Sequence, residues 1–218
     1  QQLTAEVIIT DHHQPEEQLQ PAAAVVHPQL PGSGYPFGQL SGAGVALKLA
    51  WALCRRATGA ARVAEPMKDF LLQAVGMAAL GTVADVVPLV DENRVLVHHG
   101  LSAIAERPTL GLSALLQLTG LADKKRLDAE DLGFTLAPRL NAAGRLCQPQ
   151  LAVELLTTER PQRAFELAQY LDQLNATRQT LERSVYLSAH KQLKRQCDPR
   201  REPAIVLADR DWHPGVIG

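Results

Sequence analysis

An aspartate and two histidines in succession, Asp11-His12-His13, follow directly on a β-branched apolar run, Val7-Ile8-Ile9-Thr10. Imidazole and carboxylate donors together suit Mn²⁺, Fe²⁺, Co²⁺ or Zn²⁺, and a carboxylate beside a ligating histidine can fix its tautomer. A strand that ends in such a cluster puts the side chains at its carboxyl end, where open α/β sheets bind ligands. On residue types alone, a polar turn at a strand end is the other reading. Asp85 is the second candidate, set among Val83, Ala84, Val86, Val87 and Pro88. A partly buried carboxylate there needs a partner or a metal, unless it caps the next turn or accepts backbone hydrogen bonds. A third segment runs from Pro138 to Leu146 and sets Arg139, Asn141 and Arg145 among small residues. Guanidinium forks match phosphate oxygens; the plainer reading is a helix ended by Gly144 with two surface arginines.

The elements that must position these groups are short strands followed by helices. Residues 5–10 read as a short buried strand and 23–26 as a second, with a polar, Pro-containing loop from Gln14 to Gln20 between them. Pro28, Pro31, Gly32, Gly34, Pro36 and Gly38 enforce an irregular stretch, after which Ser41-Gly42-Ala43-Gly44 opens a helix that ends before Gly59. A second helix is expected over 65–80, stopped by Gly81, and others over 92–106, 111–118, 128–136 and 150–156. Strands mixed with helices early in the chain predict an α/β core with an appended helical section. From Pro161 to Gln196 no Gly or Pro intervenes, and Leu167, Leu171, Leu174, Leu181 and Val185 keep an apolar rhythm. The spacing predicts one helix of roughly 50 Å at about 1.5 Å per residue, a strut between domains, with a free coiled-coil dimer as the alternative. Ala204-Ile205-Val206-Leu207 reads as a further strand.

The chain's 218 residues suffice for one sizeable core, or for one domain and part of another. Lys plus Arg (22) nearly balance Asp plus Glu (23), which excludes a globally basic nucleic-acid binder and leaves such a role to locally placed arginines. Cys54, Cys147 and Cys197 are dispersed and form no CxxC pair, against a disulfide framework or a zinc-thiolate site and in keeping with a reducing cytoplasm. With no apolar run near the roughly 20 residues of a membrane span and no signal pattern, a soluble, cytoplasmic protein without a membrane partner is expected. The chain begins without Met, almost at once in a strand-like run, and stops soon after another, so both ends look cut from a longer protein.

Taken in order, VIITDHH (Val7–His13), YPFGQLSGAGVALKLA (Tyr35–Ala50), GTVADVVPL (Gly81–Leu89) with ENR (Glu92–Arg94), APRLNAAGRL (Ala137–Leu146) and WHPGVIG (Trp212–Gly218) resemble the RecJ single-strand-specific DNA exonucleases of the DHH phosphoesterase superfamily. Several independent motifs in one order, across essentially the whole chain, are far more specific than the tripeptide. The resemblance implies a partial DHH-type parallel-sheet core with a helical section, a long connecting helix and the start of a second α/β domain. It divides the chain into the carboxyl-terminal part of the DHH catalytic domain (1–158), an interdomain helix (159–198) and the start of the DHH-associated domain (199–218). It also implies that His12 and Asp85 ligate Mn²⁺ or Mg²⁺, that His13 faces the scissile phosphate, and that Asp11 orients the imidazoles. Arg139, Asn141 and Arg145 would hold single-stranded DNA, with Trp212 and His213 facing the site from the second domain.

By the same resemblance the activity is stepwise 5′-to-3′ hydrolysis of single-stranded DNA in repair and recombination, with single-strand-binding protein a candidate partner. Two aspartate motifs that precede the DHH segment in the family are absent from this sequence, as is most of the second domain. The isolated chain is therefore expected to be an incomplete active site. Two alternatives carry over: a DHH phosphodiesterase acting on short oligonucleotides or cyclic dinucleotides, and a non-catalytic scaffold of the same fold.

Overall fold

In the computed structural model, residues 5–15, 20–59, 62–196 and 202–217 are described. Cys197, Gly218 and the middle of the loop expected from Gln14 to Gln20 lie outside them. Packing divides the chain into two compact units, 1–137 and 138–218.

In the first unit β1 (Ile8–Thr10) pairs in parallel with β2 (Ala24–Val26), in the register Ile8 to Ala24 and Thr10 to Val26. One backbone bond beyond each end, Ala23 N–H to Val7 O (2.8 Å) and Asp11 N–H to Val26 O (3.2 Å), prolongs the pairing. Both strands are shorter than expected, and β1 is not buried: Ile8 is 55% exposed, because among the described residues the sheet has only these two strands.

Helix α1 (Gly42–Thr58) starts where Ser41, in extended conformation, accepts the Gly44 N–H on its hydroxyl, and ends where Gly59 turns left-handed with φ 62°. Glycine suits that last position because it has no Cβ to clash. Arg55 and Arg56 in the final turn complement the negative end of the helix dipole. Helix α2 (Met67–Ala84) runs straight through Gly81, where a stop was expected. A Cβ on Gly81 would stand 2.5 Å from the Cβ of Ala43, so this glycine serves the approach of α1 to α2 rather than a helix end. Helix α3 (Asp91–Glu106) packs on α2 in the same manner, with Gly100 against Ala79.

Helix α4 (Leu110–Leu118) is capped by Thr109 and buries Leu112, Leu115 and Leu116. Where an α-helix was expected over 128–136, Asp131–Leu136 is π-helical. The Ala137 N–H reaches back to Leu132 O, and this wider turn leaves Leu132 and Leu136 fully buried with Phe134 exposed.

The second unit holds α5 (Ala137–Arg145, from its second residue on), α6 (Pro149–Thr157) and α7 (Pro161–Gln196). Gly144 does not end α5, which continues to Arg145. Pro149 and Pro161 each open a helix at a position where no N–H is needed. Helix α7 is a single helix of 36 residues, as the uninterrupted spacing predicts. Its amino-terminal half buries Ala164, Leu167, Ala168, Leu171 and Leu174, and the Arg163 fork grips both oxygens of Glu154 on α6 at 2.6 and 2.8 Å. That fork holds the Glu154 carboxyl below its usual range. Leu181 and Val185, which continue the apolar rhythm, are only half-buried. Residues 204–207 form no strand: none of the described residues pairs with them, and Val206 is 92% exposed. A 3₁₀ turn (Pro214–Val216) follows. Among the described residues no helix is long and apolar enough to cross a membrane.

Candidate metal centre

The end of β1 is shaped by one carboxylate. Asp11 Oδ1 accepts the backbone N–H of His12 at 2.7 Å and of His13 at 3.2 Å, and lies 2.7 Å from His13 Nδ1. The ring contact of His13, then the two backbone N–H groups, lower the Asp11 pKa from 3.8 to about 2. An ionised carboxylate only accepts, so His13 Nδ1 carries the proton and its Nε2 is left to meet a ligand. Asp11 thus orients one imidazole, that of His13. The ring of His12 lies 4.3 Å from that of His13, centroid to centroid, and turns toward Asp85.

Asp85 is the residue on which α2 ends, its N–H bonded to Gly81 O at 3.0 Å. Its side chain is 41% exposed, more than the apolar neighbours in sequence suggested, since Val86 beside it adopts φ 59° and points to solvent. His12 Nε2 stands 3.5 Å from Asp85 Oδ2. Two donors sharing one octahedral ion at about 2.1 Å are roughly 3 Å apart, so the pair fits one divalent cation. Three contacts make this convergence. Ser41 and Thr82, both buried, share a hydrogen bond of 2.9 Å that joins the start of α1 to the last turn of α2. Gly81 admits Ala43, and the position of a Cβ on Gly42 would lie 3.2 Å from His12 Cδ2, so the ring rests on the first turn of α1. Among the described residues no group of three or more His, Cys, Asp or Glu side chains is placed to hold a metal ion. Two donors are what this stretch presents.

Residues that sequence reasoning did not single out hold the frame. Glu92 binds Lys48 of α1 and accepts the Tyr35 hydroxyl at 2.5 Å, tying the Pro-rich stretch to the start of α3. Burial works against charge on Lys48 and Glu92, but their mutual hydrogen bond prevails: Lys48 lies above the usual lysine range and Glu92 below the usual carboxylate range. Burial and the Glu92 carboxylate push the Tyr35 phenol up. Asn93, fully buried, donates to Gln39 O (2.7 Å) and Pro88 O (3.0 Å), pinning the segment after Asp85 to the segment before α1. The signal was a polar residue inside an apolar helical run at Lys48; Asn93, between charged Glu92 and Arg94, carried no such signal. His27 was missed too, although it follows directly on β2.

In the second unit, Arg139 Nε donates to Asp172 on α7 at 2.8 Å. Asn141 is exposed. Arg145 donates to Gly215 O at 3.0 Å, and a Cβ on Gly215 would fall 2.1 Å from Arg145 O, so only glycine fits against this backbone. His213 caps the 3₁₀ turn by accepting the Gly215 N–H on Nδ1 at 3.0 Å. Trp212 Nε1 is buried without a hydrogen-bond partner among the described residues. His12, His13 and Asp85 therefore come together in one unit, while Arg139, Arg145, Trp212 and His213 belong to the other.

A parallel strand pair ending in Asp-His-His, with a helix-end aspartate facing the first histidine, defines a class that comparison makes explicit. Residues 1–82 match the family described as the DHH family, N-terminal domain, and RecJ proteins match along essentially the whole chain. It is 43% identical over 217 residues to the single-stranded-DNA-specific exonuclease RecJ of Bacillus subtilis, covering 100% of this chain and 26% of that protein. The structure of RecJ from Thermus thermophilus in complex with Mn²⁺ matches with a TM-score of 0.80 at 40% identity, over 98% of this chain and 30% of that one. The Mg²⁺ complex from the same organism matches with a TM-score of 0.73 at 40% identity, over 89% of this chain and 28% of the other. The chain thus spans well under half the length of these relatives.

Proposed function

We propose that this chain is part of a metal-dependent exonuclease that hydrolyses phosphodiester bonds of single-stranded DNA, in the 5′-to-3′ direction, in the cytoplasm during repair and recombination. The observation that carries the reading is the convergence of His12 Nε2 and Asp85 Oδ2 at 3.5 Å beside a His13 ring tethered by Asp11. His12 and Asp85 are the metal ligands of the proposal, with Mn²⁺ or Mg²⁺ as the ion. When bound, such ions lower the pKa of a water and stabilise oxygens in an in-line displacement at phosphorus. A site of that kind needs more carboxylates than these two donors; RecJ relatives are several times longer than this chain, and the proposal draws the remaining carboxylates from the rest of such a longer protein.

The chain's own residues would do the rest. His13, with its Nδ1 proton on Asp11, presents Nε2 to the scissile phosphate. Arg139, Asn141 and Arg145 hold the strand, and Trp212 and His213 serve the second domain's share of binding. In this reading residues 1–158 complete the DHH catalytic domain, 159–198 connect the domains, and 199–218 open the DHH-associated domain. Single-strand-binding protein is a candidate partner.

The test is degradation of end-labelled single-stranded DNA by the whole protein with Mn²⁺, beside duplex DNA, dinucleotides and cyclic dinucleotides. Stepwise loss of the long single strand from its 5′ end is expected. Preference for dinucleotides or cyclic dinucleotides would replace the reading with that of a small-substrate phosphodiesterase, and inactivity on every substrate with that of a scaffold.

A further inference from the structure

We infer that His27 is a positioning residue for the Asp11-His12-His13 turn, holding the peptide that follows His13 and so fixing how the His13 ring is presented. Its geometry stands alone; its consequence for catalysis rests on the function proposed above. The β1–β2 register sets Thr10 opposite Val26, which brings the residue after β2 alongside the residues after β1. His27 is buried there, 8% exposed, and both ring nitrogens are used. The Gln29 N–H reaches Nδ1 at 3.0 Å, and Nε2 lies 2.8 Å from His13 O. A backbone amide only donates and a carbonyl only accepts, so Nδ1 is bare and Nε2 carries the proton. The ring can therefore serve as a rigid donor of one defined tautomer.

The turn is thus gripped from two sides. Asp11, leaving β1, takes the N–H groups of His12 and His13 and the His13 ring. His27, leaving β2, takes the carbonyl on the far side of His13. The His13 side chain is 77% exposed, so packing supplies little of its orientation and these bonds supply most of it. Misplacing a catalytic group by about 1 Å can cost roughly 100-fold in rate.

The test replaces His27 by Phe, which keeps a planar ring without a donor, and by Gln, whose Nε2 can take the place of the imidazole Nε2. The first readout needs no metal: long-range ¹H–¹⁵N spectra of the imidazoles in the folded chain. Expected are a wild-type His27 protonated at Nε2, a His13 protonated at Nδ1, a His27→Phe chain in which His13 shifts toward the mixed tautomers of a free imidazole, and restoration in His27→Gln. Should the phenyl ring prevent folding, His27→Asn, whose amide is too short to reach, takes its place. The second readout, on the whole protein, is Mn²⁺-dependent turnover: His27→Phe should lose up to roughly 100-fold in kcat with KM for DNA unchanged, and His27→Gln should recover most of it. A His27→Phe chain with the wild-type His13 pattern would overturn the inference, whether or not the wild type degrades DNA. A wild type without nuclease activity whose His13 pattern still depends on His27 would overturn the functional reading and leave the positioning role standing.

Discussion

His12 and Asp85 in the first unit face each other across 3.5 Å, longer than a well-formed hydrogen bond, and the Asp85 side chain is open to solvent. Arg139 and Arg145 in the second unit are instead committed, one to Asp172 on α7 at 2.8 Å and the other to the carbonyl of Gly215 at 3.0 Å. Both stretches looked alike in sequence, as charged groups among small and apolar neighbours. The difference lies in what surrounds them. The first pair is brought together by contacts between other residues, Ser41 with Thr82 and Ala43 with Gly81, so that among the described residues the two facing atoms hold no hydrogen bond of their own. The arginines make the contacts themselves, so any grip on a phosphate must be added to, or exchanged for, a bond that already holds helices and turns in place.

The sharpest way to break this contrast is to remove the donors. His12→Ala and Asp85→Ala in the whole protein should each lose Mn²⁺-dependent turnover by more than the roughly 10–100-fold expected of an outer partner. Near-wild-type turnover at saturating Mn²⁺ in either would remove that residue from the ligand set. Next comes the frame. Gly81→Val should lower stability by about 1–3 kcal/mol, as overpacking of a tight contact does, and Ala43→Gly in the same chain should return part of it. Urea midpoints read this directly, and an additive pair of effects would deny the contact.

A smaller effect is expected on the other side of the comparison. Arg145→Ala should weaken single-stranded DNA binding evenly across sequences and reduce the slope of log affinity against log salt by roughly 0.7, the share of one phosphate contact on a single strand. The Mn²⁺ concentration for half-maximal turnover should not move. Fluorescence anisotropy over a salt series checks the first, and an unchanged slope would leave Arg145 with its structural contact alone.

The smallest effect concerns acid. The Asp11 pKa is depressed from 3.8 to about 2 by the His13 contacts, so its folded form favours the carboxylate. The associated stability is fully present above pH 3.8 and is lost as pH falls toward and through 2. Followed by NMR, the Asp11 carboxyl carbon of the folded chain should keep its ionised signal through pH 3.8 and change only as pH falls toward 2; a step at 3.8 would deny the His13 contacts.

Much of this was legible in the residues. The Ser41 cap, the break at Gly59, the unbroken spacing from Pro161 and the motif order all rest on short-range physics, and the structure follows them. What escaped depends on partners distant in sequence. Gly81 reads as a stop until Ala43 lies against it, and the apolar run at 204–207 reads as a strand although none of the described residues pairs with it. The wide turn at Asp131–Leu136 answers to where two leucines must be buried, not to local preference. In the site, residue types pointed to His12, His13 and Asp85 but not to His27 or Glu92, whose roles exist only through the register of β2 and the meeting of α1 with α3.

The contact between Ala43 and Gly81 sits at the start of α1 and near the end of α2, and each of those helix ends supports one donor. The separation of His12 and Asp85 is thus gauged by a hydrogen atom on one helix resting against a methyl group on another. In the proposed site, an ion engaging both side chains would meet a span already cut to length, its radius compared with a helix spacing rather than with the reach of flexible ligands. Selectivity at such a centre can drift through changes of a single methyl group, with every coordinating residue left as it is.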